Sequence, residues 1–479
     1  MRTRSALDIA LLSSPAMARS TYAKVEVDRT GSGAWVDLSD WNGIDYVRSV
    51  RYGETVDQPA WTAVVSLSLW DRDLPETSTS PLMANSLVNT AGVLCRPYRK
   101  IRISTATVPQ GDPKPATYNE VFLGRIDSYR LSGGTLELSC RDQAGDLMDR
   151  FIRVEQWYGS DTPTTATANE AQEIIQNLID DHYNTASDIS GTASAPRANK
   201  LSARTTDGAP YQLYSANGTA ATPWSAAVGT DTGWSIRYFL ANKSPLWQWL
   251  QTITDQIGYR LRFRWHEGSG IDAFVLVLEE PDRTSPSSSI TLDPTLGQCR
   301  VTGIANSAQN VRNLWRVGYA KDGGAADSVT ATNAASVTKY GERYAEVNED
   351  ASSQIDSSTE AQAMADAFLA DTKEPTATVG VTMPYAWYLQ TNDLVTVNAD
   401  DIHFDSAQTL TLVSRQNMIQ QGGAATSELT LQGTLETGRT RKPQRVFRRR
   451  RRSPAVKATQ RLRRLSLVPN SDFGDNDDE

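Results

Sequence analysis

The sequence has few of the residues on which many catalytic and metal centres depend. Its 479 residues include three cysteines and three histidines, His182, His266 and His403. The cysteines are odd in number and far apart, so they form neither a disulfide framework nor a CxxC metal site. The sequence also lacks GxSxG, HExxH, a phosphate-binding loop and a GxGxxG motif opening a helix. We therefore expect no enzyme, no cofactor and no metal.

Long hydrophobic runs are missing as well. The longest unbroken apolar run is six residues, 273–278, whereas a membrane-spanning helix needs about 20. Residues 1–20 start like a signal peptide, with Arg2 and Arg4 before an apolar stretch, but Asp8 interrupts that stretch. We expect an N-terminal arm over residues 1–20, and no membrane span.

The net charge of −8 combines two unlike parts. Residues 1–438 hold 35 basic and 51 acidic residues, a net charge of −16. Residues 439–464 hold 13 Lys and Arg and no acid, and five acids follow in 472–479. This extension, 439–479, is therefore basic and then acidic.

The basic segment contains five consecutive arginines, Arg448, Arg449, Arg450, Arg451 and Arg452. Such a run is commonly a solvated tail, but it can also bind a polyanion or an acidic protein surface. Phe447 is the only aromatic residue of the segment, so stacking on bases has little support. We expect the five arginines to bind a protein partner, with nucleic acid as the alternative.

Residues 21–158 have the pattern of a β domain. Short runs with partial alternation are separated by Gly, Pro, Asp and Thr clusters. The clearest hairpin joins Val121–Leu131 to Thr135–Arg141 across Ser132-Gly133-Gly134, where glycine permits a tight turn. Apolar and polar residues alternate along its second strand, which predicts one buried face. We expect a β-barrel-like domain here.

Residues 159–295 change to an α+β pattern. A helix is predicted over Thr167–Tyr183, and residues 184–234 are predicted to form a surface excursion. A second helix is predicted to begin with Ser244 as N-cap and Pro245 at its first position, and to stop at Gly258. Trp249 should lie beside its apolar stripe and Trp247 off it. Alternating arginines after this helix predict a strand, which a second strand follows.

Residues 296–438 return to β and form the second predicted barrel-like domain. One helix should interrupt them near 357–370, because Ser357 and Glu360 make a capping box before an apolar stripe. The predicted fold is thus mainly β, with two barrel-like domains flanking an α+β middle.

Other candidate sites have simpler interpretations. Asp401, His403 and Asp405 share a face if extended, yet a solvated loop explains them without a metal. Glu279 and Glu280 are adjacent, so strand geometry points them to opposite faces, and surface charge is the expected role. Five tryptophans are expected to pack in cores or interfaces rather than bind sugars: Trp247, Trp249, Trp265, Trp315 and Trp387.

Several short motifs occur in an informative order. Phe122-x-Gly124-x-Ile126-Asp127 precedes the hairpin, and Leu136-x-Leu138-x-x-x-Asp142 follows it. A helix and strand over Pro245–Leu261 come next, and then Leu389–Val397, in which Asn392 stands where glycine is usual. Together these segments resemble tailed-phage baseplate hub and tail-associated (Tal-type) proteins, over roughly residues 20 to 436.

The resemblance implies a structural virion protein at the distal end of a phage tail. It implies a homotrimer in which two barrel-like domains per chain alternate around a ring, so that a sixfold tail tube meets a threefold tip. Implied partners are the distal tail protein ring, the tape-measure protein and tip, spike or fibre proteins, with transient passage of viral DNA. Assembly would take place in the host bacterial cytoplasm. From the acidic body we further expect acids to line the DNA channel.

The same resemblance places Asp127 and Asp142 in a motif, and for both we expect a structural role. Asp142 should cap the turn after its strand. The alternatives are a tail-associated peptidoglycan hydrolase, a glycan-binding adhesin using residues 184–234, and a nucleic-acid-binding protein. A hydrolase would need a further catalytic domain, and only about 40 residues follow Gly438.

Overall fold

The computed structural model describes residues 19–28, 34–40, 43–56, 58, 60–68, 95–132, 134–152, 156–158, 170–184, 213–215, 222–223, 234, 236, 239–241, 243–268, 271–279, 290–321, 325–347, 355, 357–398 and 407–435. Within them the chain is mainly β, as the alternating patterns predict. No helix in these ranges is long and apolar enough to span a membrane.

The strands are numbered in chain order. They are β1 (Arg19–Asp28), β2 (Trp35–Asp37), β3 (Val47–Thr55), β4 (Thr62–Ser68), β5 (Lys100–Pro109), β6 (Asn119–Ser132), β7 (Thr135–Asp142), β8 (Gln156–Tyr158), β9 (Leu213–Ser215), β10 (Thr222–Pro223), β11 (Phe239–Ala241), β12 (Arg260–Gly268), β13 (Ile271–Glu279), β14 (Ile290–Leu292), β15 (Arg300–Ser307), β16 (Leu314–Lys321), β17 (Ala325–Thr332), β18 (Tyr344–Val347), β19 (Thr376–Pro384), β20 (Leu394–Val397), β21 (Gln408–Gln420) and β22 (Ala425–Gly433). The α-helices are α1 (Ala144–Met148), α2 (Ala171–Ile179), α3 (Leu246–Ile257), α4 (Ala334–Tyr340) and α5 (Ser358–Thr372).

One sheet of 13 strands contains both predicted β regions. Its main path runs β15-β19-β22-β21-β3-β4-β7-β6-β5-β1-β2, with β20 paired to β21 and β14 to β20. The link is the antiparallel pairing of β21 with β3, from Ser414 opposite Thr55 to Gln420 opposite Ser49. The boundaries 21–158 and 296–438 remain predictions, but the two β regions share one sheet and one hydrophobic core.

The predicted hairpin is confirmed as β6 and β7. Ser132 lies opposite Thr135, and the alternation of β7 buries Leu136, Leu138 and Cys140. Those side chains join the core that the two β regions share.

The turn between β21 and β22 belongs to the second β region and is hydrogen-bonded to β1 of the first. Thr21 donates its backbone N–H to Gly423 O at 3.0 Å, and Gly422 donates to Thr21 O at 3.1 Å. The Gln421 amide accepts from Ala23 N at 2.8 Å and donates to Ala23 O at 3.1 Å. Backbone groups of β1 that β5 does not satisfy are thus paired by a turn from the far end of the sequence.

The middle region has the predicted α+β character. Helix α2 begins at Ala171, four residues later than predicted, and buries Ile174, Ile175 and Leu178 as its apolar stripe predicts. The two strands predicted after the second helix are confirmed as β12 and β13, which pair antiparallel, and β9 lies parallel to β13. The predicted excursion 184–234 thus contributes two short strands, β9 and β10, to this sheet, and most of that stretch lies outside the described residues.

Helix α3 stops where predicted but does not start as predicted. Gly258 has a left-handed φ of 70°, which suits the residue that ends a helix. Ser244 is not the N-cap, because Pro245 occupies that position with an extended backbone and no side-chain cap. The N–H of Leu246, which has no acceptor within the helix, donates to Arg150 O at 2.8 Å. A neighbouring segment therefore caps the helix.

Trp247 lies off the apolar stripe, as predicted, and is nevertheless buried. Its side chain is 7% exposed and belongs to the core of the middle region, whereas Trp249 is only partly buried. The apolar stripe accounts for one buried side of α3. Trp247 lies on a second side, which faces Trp61 across a small cavity.

The segment that connects β15 to β19 in the sequence forms a small module. It consists of the sheet β17-β16-β18 with α4 and α5, and it has its own core. The predicted helix near 357–370 is confirmed as α5, with Ser357 Oγ accepting from Thr359 N at 3.2 Å. The expectation of a single helix is wrong, because α4 was missed. Its seven residues are too few for a clear apolar stripe, although Asn333 caps it through Ser336 N at 2.9 Å.

Candidate functional site

A buried ion pair lies where the two β regions meet. Glu54 on β3 and Arg415 on β21 are each 1% exposed in their side chains, and their charged atoms are 3.1 Å apart. The guanidinium also donates to the carbonyls of Trp387 and Leu389. It lies 5.4 Å from the ring centroid of Trp61. A buried charge requires such partners, so this pair fixes how the two regions join.

Residues 385–393, which we call the junction loop, are held by the same pair. Thr391 donates its N–H to Glu54 Oε1 at 2.9 Å, and its hydroxyl donates to Oε2 at 3.2 Å. That hydroxyl also accepts from Arg262 of β12. The first β region, the second and the middle region therefore meet in one hydrogen-bonded chain.

The alternating arginines of β12 complete this network through Glu279. Its carboxylate binds Arg262 at 2.6 Å, binds Arg264 and accepts from Asn392 Nδ2 at 2.9 Å. Burial alone would raise the pKa of Glu279, but the two arginine charges outweigh it and hold the pKa at about 2. The expectation of surface charge for Glu279 is wrong, since its side chain is only 12% exposed.

Asn392, where the motif usually has glycine, adopts a backbone conformation that favours glycine. Asn392 has a φ of 65°, a left-handed conformation that asparagine tolerates better than most residues. Its amide is used at the same time, because it donates to Glu279. The departure from the family pattern therefore keeps the turn and adds an anchor.

The hairpin motif contains a glycine that no other residue can replace without a shift. A Cβ at Gly124 would lie 2.0 Å from the carbonyl oxygen of Arg141. The close approach of β6 and β7 at this point places Arg125 directly opposite Arg141. This is the physical reason for the glycine in the motif.

Arg125 and Arg141 are held together by three carboxylates. Asp127 binds both arginines, Asp149 binds both, and Asp146 binds Arg125. Asp146 and Asp149 lie in and just after α1, so this hairpin cluster fastens that helix to the sheet. The expected structural role of Asp127 stays a prediction that this geometry supports.

Asp142 lies at the end of β7, where a cap was expected. Its Oδ1 accepts from Ala144 N at 3.0 Å, and the residue is 4% exposed. Burial raises the pKa of Asp142 to about 8. The carboxyl therefore keeps its proton at neutral pH and caps the turn as a neutral group.

One free strand edge lies at β15, which we call the β15 edge. Its single described neighbour is β19, and seven of its eight residues are exposed. Free edges are usually protected by charges, proline or bulges. This one has a bulge near Thr302 and one charge, Arg300, but it also exposes 37% of Ile304.

A second free edge lies at the end of β6, residues 128–132, which we call the β6 edge. All five residues are exposed, and the described pairing with β5 ends at Arg125. Tyr129 and Leu131 lie opposite Leu138 and Leu136, yet they are 41% and 51% exposed. Both edges therefore present apolar side chains on the face that elsewhere forms the core.

Most site residues predicted from the sequence lie outside the part of the chain that the structure describes. Arg448, Arg449, Arg450, Arg451 and Arg452 fall outside the described residues, as do Asp401, His403 and Asp405. Over the described ranges, no three His, Cys, Asp or Glu side chains come together as a metal site. His182 bonds the Tyr158 hydroxyl at 3.1 Å.

The tryptophans pack as predicted where their side chains are described. Trp265 lies 5.3 Å from Phe274 between ring centroids, and Trp315 lies 4.8 Å from Phe368. Trp387 is 5% exposed and lies in the junction loop. The two free edges were not predicted, because pairing partners of distant strands leave no local signal.

No protein-family model matches the chain, and no curated protein matches its sequence. Several solved structures are similar in fold. A tail protein from Neisseria meningitidis MC58 is 15% identical over 86% of this chain and 97% of its own, with a TM-score of 0.49. The 43 kDa tail protein of prophage MuSo2 from Shewanella oneidensis is 14% identical over 86% and 98%, with a TM-score of 0.48.

A third similar structure is an E. coli protein that is a component of the type VI secretion system. It is 9% identical over 83% of this chain and 76% of its own, with a TM-score of 0.42. The structures that resemble this chain are thus phage tail proteins and a type VI secretion component.

Proposed function

We propose that this protein is a structural component of a phage tail, a homotrimeric hub at the distal end that joins a sixfold tube to a threefold tip. The observation that carries the proposal is the pair of free sheet edges. The described residues of one chain leave both edges without a partner strand, whereas a ring of identical copies joined head to tail leaves neither edge open.

Strand direction agrees with such a ring. Between the two edges lie eight strands, β15, β19, β22, β21, β3, β4, β7 and β6, each antiparallel to the next. Because eight is an even number, β15 and β6 run in opposite directions. A rotation about an axis along the strands preserves those directions, so the β6 edge would meet the β15 edge of the next copy in an antiparallel ladder.

The side chains at the two edges are complementary too. Tyr129 and Leu131 on the β6 edge, and Ile304 on the β15 edge, lie on the core side of the sheet and are partly exposed. Pairing the edges would bring these side chains together and extend the core across the joint. Cross-strand apolar pairs are the usual stabilising unit of such a ladder.

Three copies would also give the required symmetry. Each chain supplies four strands from the first β region and four from the second, so a trimer has six four-stranded sectors around a threefold axis. The ring would contain about 24 strands, and barrels of 16 to 18 strands already enclose a water-filled channel. Such a channel suits the passage of viral DNA.

The remaining partners follow from the same role. The hub would contact the distal tail protein ring, the tape-measure protein and tip, spike or fibre proteins, at the tail tip of the virion. The arginines 448–452 would bind an acidic surface of a neighbouring tail protein. No catalytic step is assigned to the chain.

The test is the mass of the full chain by light scattering, with negative-stain images of the same peak. We expect a trimer with a ring-shaped projection. Leu131→Glu and Ile304→Glu should each raise the concentration for half-assembly about tenfold or more, since charge replaces an apolar contact in every joint. Leu296→Glu is the matched control, because Leu296 is 60% exposed but lies in a turn.

A charge pair makes the test specific. The double variant Leu131→Lys with Ile304→Glu should recover assembly, because the new charges would face each other across the joint. A folded wild-type monomer at high concentration would refute the ring. Edge variants that assemble like Leu296→Glu would refute closure through these two edges.

A further inference from the structure

The eight-stranded part of the sheet has a second face, which points away from the shared core. On β19 the core receives Val379 and Val381, while Thr378 and Thr382 point to the other side. The same alternation holds along β22, where Thr430 and Gln432 oppose Leu429 and Leu431. We call this second face the outer sheet face.

The outer sheet face consists mostly of hydroxyl and amide side chains. Its serines and threonines are Ser49, Thr55, Thr62, Ser66, Ser68, Ser128, Ser132, Thr135, Ser139, Ser307, Thr376, Thr378, Thr382, Thr409, Thr411, Ser414, Thr426 and Thr430. Three glutamines accompany them, Gln416, Gln420 and Gln432. The large apolar side chains on this face, among the paired residues, are Val64 and Met418. A face with so few apolar anchors is poorly suited to bind a folded protein.

Charge on this face is sparse and of unexpected sign. No lysine lies on these eight strands, although protein surfaces usually carry many charged side chains of both signs. The face carries Glu137, Glu428 and, in the hairpin cluster, Asp127 as acids. Its arginines are Arg48, Arg51, Arg125, Arg130, Arg141 and Arg300.

Most of these arginines are partly neutralised or held. Arg141 binds Asp127 and Asp149, and Arg130 lies opposite Glu137. Arg48 donates to the hydroxyl of Ser68 at 3.0 Å. The face is therefore weakly basic, in contrast to the net charge of −16 of residues 1–438.

We infer that the outer sheet face lines the channel of the proposed ring and makes weak, transient contacts with the phosphates of duplex DNA in transit. The inference rests on the proposed function, since it needs the ring. Serine, threonine and glutamine side chains are common phosphate-contacting groups that carry no sequence information. A few isolated arginines guide a polyanion, whereas a dense basic surface would hold it through counterion release. This surface replaces the acid-lined channel expected from net charge.

The test adds positive charge to the outer sheet face. It then measures whether the gain in DNA affinity requires a free DNA end that can pass through the ring. Ser139→Lys with Thr378→Lys places six lysines on this face of a trimer, at exposed positions whose cross-strand partners are uncharged. Thr330→Lys with Ala335→Lys is the matched control, at exposed positions of the small module. Each full-length protein is titrated with a linear duplex and with a covalently closed minicircle of equal length.

We expect the face variant to bind the linear duplex about tenfold or more tightly than the wild type, with a steeper salt dependence, and to gain nothing for the minicircle, which cannot thread a closed ring. The control variant should change both affinities equally. Equal gain for both DNAs in the face variant, or no gain for either, would overturn the inference. If that variant does not assemble, Thr62→Lys with Gln432→Lys repeats the test. A wild type that is not a ring by light scattering would instead refute the proposed function.

Discussion

Two arginine–carboxylate clusters in this protein do different work. The junction pair of Glu54 and Arg415 joins distant parts of the sequence and is 1% exposed on both sides. The hairpin cluster around Arg125 and Arg141 joins residues within one motif, and the exposed fraction of Asp149 in it is 42%. Burial and sequence separation, rather than the number of ion pairs, decide which cluster the fold depends on.

The junction should therefore be far more sensitive to substitution. Arg415→Met leaves Glu54 buried without its charged partner, which typically costs about 3–5 kcal/mol. We expect this loss in the free energy of unfolding, measured by urea denaturation of the full chain. The loss should change little with salt, because a buried pair is weakly screened.

A double variant separates the pair from its surroundings. Arg415→Met with Glu54→Gln removes both charges, and we expect it to recover a large part of the lost stability. If the double variant is as unstable as Arg415→Met alone, the guanidinium contacts with the junction loop carry the effect rather than the ion pair. That result would weaken the contrast between the two clusters.

The hairpin cluster should give a smaller and salt-dependent effect. Arg125→Ala removes contacts to Asp127, Asp146 and Asp149, and we expect a loss of about 1–2 kcal/mol in low salt. Raising the salt should shrink the difference from wild type, since the carboxylates are partly exposed. A loss equal to that of Arg415→Met would show that both clusters carry the fold equally.

The contrast also explains what could be predicted from the sequence. Local features were readable: the alternation of β7, the stop at Gly258 and the cap at Ser357 each depend on residues a few positions apart. The resemblance to hub proteins rested on motifs of the same short range. The mainly β fold followed from these signals.

Contacts between distant segments were not readable. Glu279 looks like surface charge until Asn392 of the junction loop packs beside it. The cap of α3 could not be foreseen, because Arg150 O rather than Ser244 supplies it. The free edges depend on the pairing of β21 with β3, for which no local pattern exists. The junction and the two free edges therefore could not be predicted from the sequence.

Asp142 provides the smallest and most specific test, since it lies at the end of the same hairpin but is buried like the junction. Its pKa is raised from 3.8 to about 8, so the folded state holds a proton that the unfolded chain has lost. Stability contributed by this group is present below about pH 4 and falls as the pH rises toward 8. Asp142→Asn keeps an oxygen for Ala144 N and cannot ionise, so it should flatten that part of the pH dependence.

Asp142→Ala should lose about 1 kcal/mol through the missing cap at pH 5. By pH 8 the difference should reverse, because the wild type loses about 1.4 kcal/mol for each pH unit between the unfolded and folded pKa values, whereas Asp142→Ala loses none through this group. Thermal unfolding of the three proteins at both pH values measures this, and groups common to all three cancel in the differences. Equal differences at the two pH values would mean that the carboxyl is already ionised at pH 5. Loss of the trimer with an unchanged melting temperature would instead place Asp142 at an assembly contact.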